Sequence, residues 1–323
     1  MVNTLTPGRW IGLKRTSADG DIFTILAFDQ RGTYRKMLPK DTSYDTAVAV
    51  KREIVTALSP DASAVLLDAD YGLASAQFMS RHSGLLLAIE NSGYTGDATY
   101  RGVDFDPEWT VGKIKNMGGN AVKLLTYYHP DTGALAEEIE GVIKQVVQQC
   151  HKHDLPLFLE PLSYSLKADV AKESAAFAPT RPQAVIETAR RLSKTGVDVL
   201  KMEFPYDAAF HTDQKEWRKA CEAISEASSV PWVLLSAGVD FDVFATQTQI
   251  ACEAGASGFL AGRAIWKEAV TMSDEERAKF LTDVAMPRMR NLSEIALKYA
   301  QPWTKYYSPL PATSGWHKNY QEL

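Results

Sequence analysis

The sequence predicts a single (β/α)₈ barrel, the TIM-barrel architecture, on three observations. Eight short apolar, β-branched runs recur along its 323 residues. They are apolar almost throughout rather than alternating, which marks strands buried on both faces, as in a parallel sheet covered by helices. A longer polar-periodic segment follows each run, and eight β-then-α units in a chain of this length form such a barrel. The runner-up is a doubly wound open sheet. That fold usually carries a glycine-rich phosphate loop after its first strand, where this chain has "DQRG" at 29–32.

The first run is "FTILAFD" (23–29), and "DTAVAVKREIVTAL" (45–58) after it keeps apolar residues three and four apart, as a helix does. "SAVLLDA" (63–69) follows, then "DYGLASAQFMSRHS" (70–83), the shortest and least regular connection. "GLLLAIE" (84–90), "AVKLLTYY" (121–128) and "LPLFLEPL" (155–162) are the third to fifth runs. The helix "PQAVIETARRLSKTG" (182–196) is expected to stop at Gly196 and leads to "DVLKMEFP" (198–205). "VPWVLLSAG" (230–238) and "ASGFLAGRA" (256–264) complete the set. The last helical segment, 273–300, opens with Ser273 and Glu276 in capping-box register, and its internal Pro287 should kink or split it. Residues 1–20 form an N-terminal extension, 21–300 the barrel, and 301–323 an aromatic, proline-rich tail expected to pack on a surface or between subunits.

A net charge of −5 argues against nucleic-acid or anionic-membrane partners, which want a basic face. No apolar run reaches the length of a spanning helix, and the start "MVNTLTPGRWIGLKR" lacks the apolar core of a signal peptide, so a cytoplasmic location is expected. Cys150, Cys221 and Cys252 lie far apart, and His151 and His153 would not share a helix face. Neither a disulfide framework nor a metal site is expected, and no cofactor is implied.

Barrel chemistry sits at the C-terminal ends of the strands. There the runs place Asp29, Gln30 and Arg31; Asp68; Glu90; Lys123 and Tyr127; Glu160; Lys201 and Glu203; Ser236; and Arg263. Lys201 interrupts an apolar strand, and burial lowers a lysine pKa because desolvation penalises the ammonium. It reads either as an ion-paired lysine at a strand end or as an amine neutral enough to attack a carbonyl. In the second case Lys123 would lower its pKa as a neighbouring like charge, and Glu160 would move protons as the imine forms. Asp29 would stand near the scissile C–O–H. A structural Lys123–Glu160 ion pair is the alternative. Past the last two strands, "LSAGV" (235–239) and "AGRAIW" (261–266) set small residues where barrels bind phosphate, with Arg263 as a bidentate partner. Arg31 leaves the first strand on the other side and is the candidate for the far end of a substrate.

"AFDQRG", "AVKLLTYYHP", "LFLEPLSY", "DVLKMEFP", "LSAGVDFDVF" and "GFLAGRAIW", in this order over about residues 20–300, resemble the class I tagatose-1,6-bisphosphate aldolases. The same superfamily includes the sulfofructose-phosphate aldolases, similar around "SAVLLD", "VPWVLLSAGVD" and "GFLAGRA". The resemblance implies a metal-independent lyase with Lys201 as the Schiff-base lysine, assisted by Glu160 and Lys123. It implies substrate contacts from Asp29 and Gln30, and a 1-phosphate held by Ser236, Ala237, Gly238, Gly262 and Arg263. The implied partner is a small sugar phosphate, cleaved to dihydroxyacetone phosphate and glyceraldehyde 3-phosphate, and the implied assembly a homo-oligomer. Gly32 fits the tagatose branch, whereas "KEAVTMSDEERAKFLTDVAMPRM" (267–289) is closer to the sulfosugar branch, so a sulfofructose-1-phosphate aldolase is one alternative. Another lysine-imine barrel, such as a deoxyribose-phosphate aldolase or transaldolase, is a second enzyme reading, and the "DQRG" start and the combination of Glu160 with Lys201 argue against it. A non-catalytic sugar-phosphate sensor is the alternative from another class.

Overall fold

The computed structural model describes residues 3–320, so the first two residues of the extension and the last three of the tail lie outside the described residues. Strand β1 (Asn3–Leu5) precedes a closed barrel of β2 (Phe23–Phe28), β3 (Ala64–Leu67), β4 (Gly84–Ala88) and β5 (Ala121–Tyr127), continuing with β6 (Leu157–Leu162), β7 (Val199–Met202), β8 (Trp232–Leu235) and β9 (Gly258–Ala261). Every neighbouring pair is parallel, and β9 closes on β2. Each barrel strand falls within one of the eight predicted apolar runs.

Period-two alternation decides what the barrel lumen sees. Phe23 of β2 and Phe158 of β6 meet edge to face at 5.3 Å, although their strands lie on opposite sides of the barrel. Both rings therefore point inward, and so do Asp29 and Glu160, an even number of residues further along their chains. The lower lumen is a packed apolar layer, and polar side chains begin above it.

Outside the sheet, the helix Tyr44–Leu58 starts at Ser43, whose hydroxyl accepts from the Thr46 N–H at 3.1 Å. It buries Ala47, Val50, Lys51, Ile54, Val55 and Leu58 on one face. The connection after β3 keeps only one helical turn, Leu73–Ala76. The helix expected to run to Gly196 spans Arg181–Leu192 instead. Residues 193–196 form a turn, and Gly196 takes φ +97°, which an L side chain rarely adopts, before the chain enters β7. The Ser273–Glu276 capping box is present. Beyond it the helix Asp274–Phe280 widens into one π-helical turn, Leu281–Ala285, before Met286–Tyr299. Pro287 lacks the N–H that would bond four residues back, so the ladder adjusts in the turn before it rather than breaking.

The N-terminal segment and the tail close the bottom of the barrel together. β1 pairs in parallel with β10 (Tyr307–Pro309), and Trp303 just before β10 is fully buried. The helix Pro7–Thr16 lies across the N-terminal ends of β4 to β7. A Cβ on Gly12 would stand 2.4 Å from the Asn120 carbonyl, and one on Gly84 would stand 2.3 Å from the Arg15 carbonyl. Arg9 pairs at 2.5 Å with Asp198, whose other oxygen accepts the Leu157 N–H at 2.8 Å. Among the described residues no helix is long and apolar enough to cross a membrane.

One buried ion pair connects this scaffold to the barrel mouth. Lys51 reaches inward from its helix, hydrogen-bonds Asp68 and donates to the carbonyls of Phe28 (2.9 Å) and Gln30 (3.0 Å). Its ammonium lies over the Phe28 ring, 4.4 Å from the centroid. Burial lowers the Lys51 pKa, and Asp68 opposes that shift. Asp68, which the sequence places at a strand end facing the mouth, is thus occupied behind the barrel wall. The two carbonyls that Lys51 holds flank Asp29. Lys51→Met would leave Asp68 buried without a counter-charge, so unfolding stability is expected to fall by about 3–5 kcal/mol in denaturant titrations. Lys51→Met/Asp68→Leu should recover much of that loss, and equal instability of the two variants would contradict the assignment.

Candidate active site

The polar ends of the strands surround a cavity of about 720 Å³ at the C-terminal mouth, within the size range of small-ligand sites. At its floor the Lys123 ammonium sits between three carboxylates: Asp29 Oδ2 at 2.7 Å, Glu90 Oε1 at 2.8 Å and Glu160 Oε2 at 2.9 Å. The same Glu160 oxygen accepts from Lys201 Nζ at 2.8 Å. β2 and β4 lead into Asp29 and Glu90, while β5, β6 and β7 carry Lys123, Glu160 and Lys201, so five strands supply the group. Period-two alternation lets each strand aim one such side chain inward.

Lys123 and Lys201 are both buried, but their surroundings differ. Burial alone would lower the Lys123 pKa, yet Asp29, Glu160 and Glu90 together hold it well above the ordinary lysine value. Lys123 is therefore a fixed cation offset by carboxylates. Both ammonium groups contact Glu160 Oε2, so the two lysines stand on either side of one carboxylate oxygen. Burial alone would also raise Asp29, and the Lys123 and Lys201 charges reverse this, holding its carboxyl below the usual range. Asp29 Oδ1 and Gln30 Oε1 are buried acceptors at the cavity without a partner among the described residues. A hydroxyl-bearing ligand could satisfy both.

The opposite wall is made of backbone. After β8, Ala237 (φ +48°) and Gly238 (φ +86°) form a turn in the left-handed region, a conformation that is strained for the alanine. Ser236 Oγ accepts the Gly262 N–H at 3.1 Å and ties this turn to the one after β9. Arg263 donates from Nη2 to the Ala237 carbonyl at 3.1 Å. A Cβ at Gly238 would come within 2.9 Å of Arg263 Cζ, so glycine is what lets the guanidinium lie against the turn. Small residues, backbone N–H groups and one arginine make a surface suited to an anion.

The remaining strand-end residues are engaged in other ways. Arg31 is buried and donates to the Glu90 carbonyl at 2.6 Å, with its guanidinium 3.6 Å from the Glu90 carboxylate. Glu203 accepts from the Ser163 N–H and hydroxyl, each at 2.7 Å, and pairs with Lys172. Glu90 had no assigned role from sequence; its only signal is that it ends an apolar run beside the strand of Lys123. Lys172, Arg181 and Arg101 also line the cavity. Lys172 and Arg101 come from irregular loops whose sequence carries no periodicity to place them, and Arg181 opens the helix Arg181–Leu192.

Residues 23–268 match the model of the DeoC/LacD family of aldolases. A protein of Streptococcus pyogenes named tagatose 1,6-diphosphate aldolase 1 is 34% identical, over 94% of this chain and 99% of its own length. Tagatose 1,6-diphosphate aldolase of Streptococcus agalactiae is 33% identical over 93% and 98%. Among solved structures, the fructose-bisphosphate aldolase of Plasmodium falciparum superposes with a TM-score of 0.69 at 12% identity, covering 93% of this chain and 98% of that one. An archaeal fructose 1,6-bisphosphate aldolase gives 0.59 at 19% identity, covering 89% and 98%. At these identities the structural matches bear on the fold alone.

The buried carboxylates at the mouth predict an acid limb of stability. Burial alone would raise Glu203, but Lys172 and Arg181 bring it below its ordinary value of 4.5, as Asp29 is brought below 3.8. A carboxyl depressed in the folded state contributes fully above its unfolded value and loses that contribution as pH falls through the folded one. Stability is therefore expected to decline as pH drops below the ordinary carboxylate values of 3.8 to 4.5. Glu203→Gln should flatten that limb in urea titrations stepped down from neutral pH, and an unchanged slope would contradict the assignment.

Proposed function

The chain belongs to the DeoC/LacD family of aldolases, and from that premise we propose that it cleaves tagatose 1,6-bisphosphate through an imine on Lys201. The products are dihydroxyacetone phosphate and glyceraldehyde 3-phosphate. The observation that carries the choice of lysine is the count of counter-charges. Lys123 Nζ faces three carboxylates, whereas Lys201 Nζ pairs with Glu160 alone among the described residues. Deprotonating Lys123 would leave Asp29, Glu90 and Glu160 in mutual repulsion in a buried site. Deprotonating Lys201 disturbs one contact and delivers the proton to the carboxylate that makes it.

In this reading Lys201 gives its proton to Glu160, and the free amine adds to the substrate ketone at carbon two. Glu160 returns the proton to the carbinolamine hydroxyl, which leaves as water, and the iminium remains. Glu160, again a carboxylate, takes the proton of the carbon-four hydroxyl as the C3–C4 bond breaks. The bonding pair flows into the iminium to give an enamine, and the aldehyde departs. Protonation of the enamine at carbon three and addition of water release dihydroxyacetone phosphate and restore Lys201. Against the effect of burial, Lys123 and Lys201 hold the Asp29 carboxyl below the usual carboxylate range. Its unpartnered Oδ1 suits it to accept and orient a substrate hydroxyl. The turns at Ser236–Gly238 and Gly262–Arg263 receive the 1-phosphate.

The two alternatives are not favoured. The Streptococcus relatives above, which match nearly the full chain, carry the tagatose name rather than a sulfosugar one, and nothing in the site among the described residues favours sensing over turnover. The same reading places the protein in the cytoplasm as a homo-oligomer, following the family resemblance.

The test is a coupled assay for dihydroxyacetone phosphate with tagatose 1,6-bisphosphate. Lys201→Met should abolish cleavage while the fold survives, because an apolar chain of similar length replaces a buried amine. Glu160→Gln should slow turnover by about 10² to 10⁴-fold, the usual worth of general acid–base catalysis, with a much smaller change in substrate affinity. Near wild-type cleavage by either variant would falsify this mechanism.

A further inference from the structure

We propose that Arg101 binds the carbon-six phosphate of the substrate and so selects a ketose bisphosphate over a ketose 1-phosphate. The inference rests on the aldolase reading above and adds to it the group that reads the far end of the substrate.

Cations around the cavity differ in what they already hold. Lys123 and Lys201 belong to the carboxylate cluster. Lys172 pairs with Glu203, Arg181 lies 4.0 Å from Glu203 and 3.9 Å from Asp207, and Arg31 is bound to Glu90. Lys36 is exposed and has no ion pair among the described residues. Arg263 and Arg101 are the two half-buried cations lining the cavity that, among the described residues, form no ion pair. Arg263 lies beside the turns after β8 and β9. A bisphosphate has two anionic ends to satisfy, and these two guanidinium groups remain for them.

Their positions fit the two ends of one ligand. In a closed ring of eight strands, β4 and β5 lie across the lumen from β8 and β9. Arg101 comes from the loop between β4 and β5, so it faces Arg263 across the mouth, with the Lys123, Glu160 and Lys201 cluster on the floor between them. The residue is also preorganised. Its guanidinium carbon lies 4.7 Å from the Tyr94 ring centroid and 5.0 Å from those of Tyr127 and Tyr164. Nε donates to the Ala98 carbonyl at 3.0 Å, its only hydrogen bond among the described residues, which leaves both terminal nitrogens free. Isolated bridges Glu90–Phe105 and Thr95–Gly102 shape the loop, and Tyr100 anchors it to Glu138 at 2.8 Å. An arginine held among three rings with its terminal N–H groups unused presents the planar fork that suits a phosphate. Leu125 and Leu162, on the inward faces of β5 and β6, offer no competing polar contact.

The experiment measures kcat/KM for tagatose 1,6-bisphosphate and for tagatose 1-phosphate with the wild type, Arg101→Met and Arg101→Lys. The wild type should prefer the bisphosphate. Arg101→Met should lower the bisphosphate-to-monophosphate ratio by about 10- to 100-fold, the worth of one charge-assisted hydrogen-bonded contact, and Arg101→Lys should fall between. Equal losses for both substrates would show Arg101 to be a staple for the tyrosine cluster and would overturn the proposal. So would a wild type that cleaves both substrates equally well, a result that does not depend on any variant folding. A wild type that cleaves neither would instead overturn the function from which the inference starts.

Discussion

The Lys123 ammonium, enclosed by Asp29, Glu90 and Glu160, is the interaction on which the site depends. A buried charge is tolerated only when it is paired and hydrogen-bonded, and removing one member leaves the rest uncompensated. Here the balance spans the barrel, because the carboxylates come from the ends of β2, β4 and β6 and the cation from β5. The cluster therefore fixes the relative positions of four strand ends at the floor of the cavity. It also sets apart the two lysines. Lys123 is locked as a cation, while Lys201 touches the cluster only through the Glu160 oxygen that both share. Among the described residues three carboxylates hold Lys123 and one holds Lys201, and this difference is the ground on which the proposed imine is assigned to Lys201.

The rest of the molecule holds this floor in place from two directions. Below it lies the apolar layer represented by the Phe23–Phe158 pair, closed by the helix Pro7–Thr16 and the β1–β10 pairing. Behind it, Lys51 grips the carbonyls on either side of Asp29 and is neutralised by Asp68. Above the floor, glycine and a positive-φ alanine replace side chains on the β8–β9 side, whereas tyrosines and Arg101 occupy the β4–β5 side. The two ends of the cavity thus present different chemistry, one built from backbone and the other from aromatic side chains.

The eight strands were legible in the sequence because burial on both faces demands apolar runs, and Lys201 stood out because a lysine in such a run breaks the pattern. Asp29, Lys123 and Glu160 were legible for the same reason, by their position at strand ends. What escaped lacked a local signature. The β1–β10 pair involves three residues at each end of the chain, too short to show alternation and too far apart for any sequence window. Asp68 read as a mouth residue because strand-end position does not reveal that Lys51, on the preceding helix, turns it outward. Arg101 lies in a loop, and its value comes from three tyrosines, Tyr94, Tyr127 and Tyr164, that only the fold brings around it. The end of the helix at Leu192 rather than Gly196 shows the ordinary limit of a glycine stop signal: the glycine marks the positive-φ turn, and the last helical hydrogen bond lies earlier.

The most direct test of the division between the two lysines is to reduce the wild-type protein with borohydride in the presence of dihydroxyacetone phosphate and to map the modified peptide by mass spectrometry. If Lys123 is locked by its carboxylates and Lys201 is free to lose its proton, the whole adduct is found on the peptide carrying Lys201. An adduct on Lys123, or one shared between the two lysines, would contradict the account.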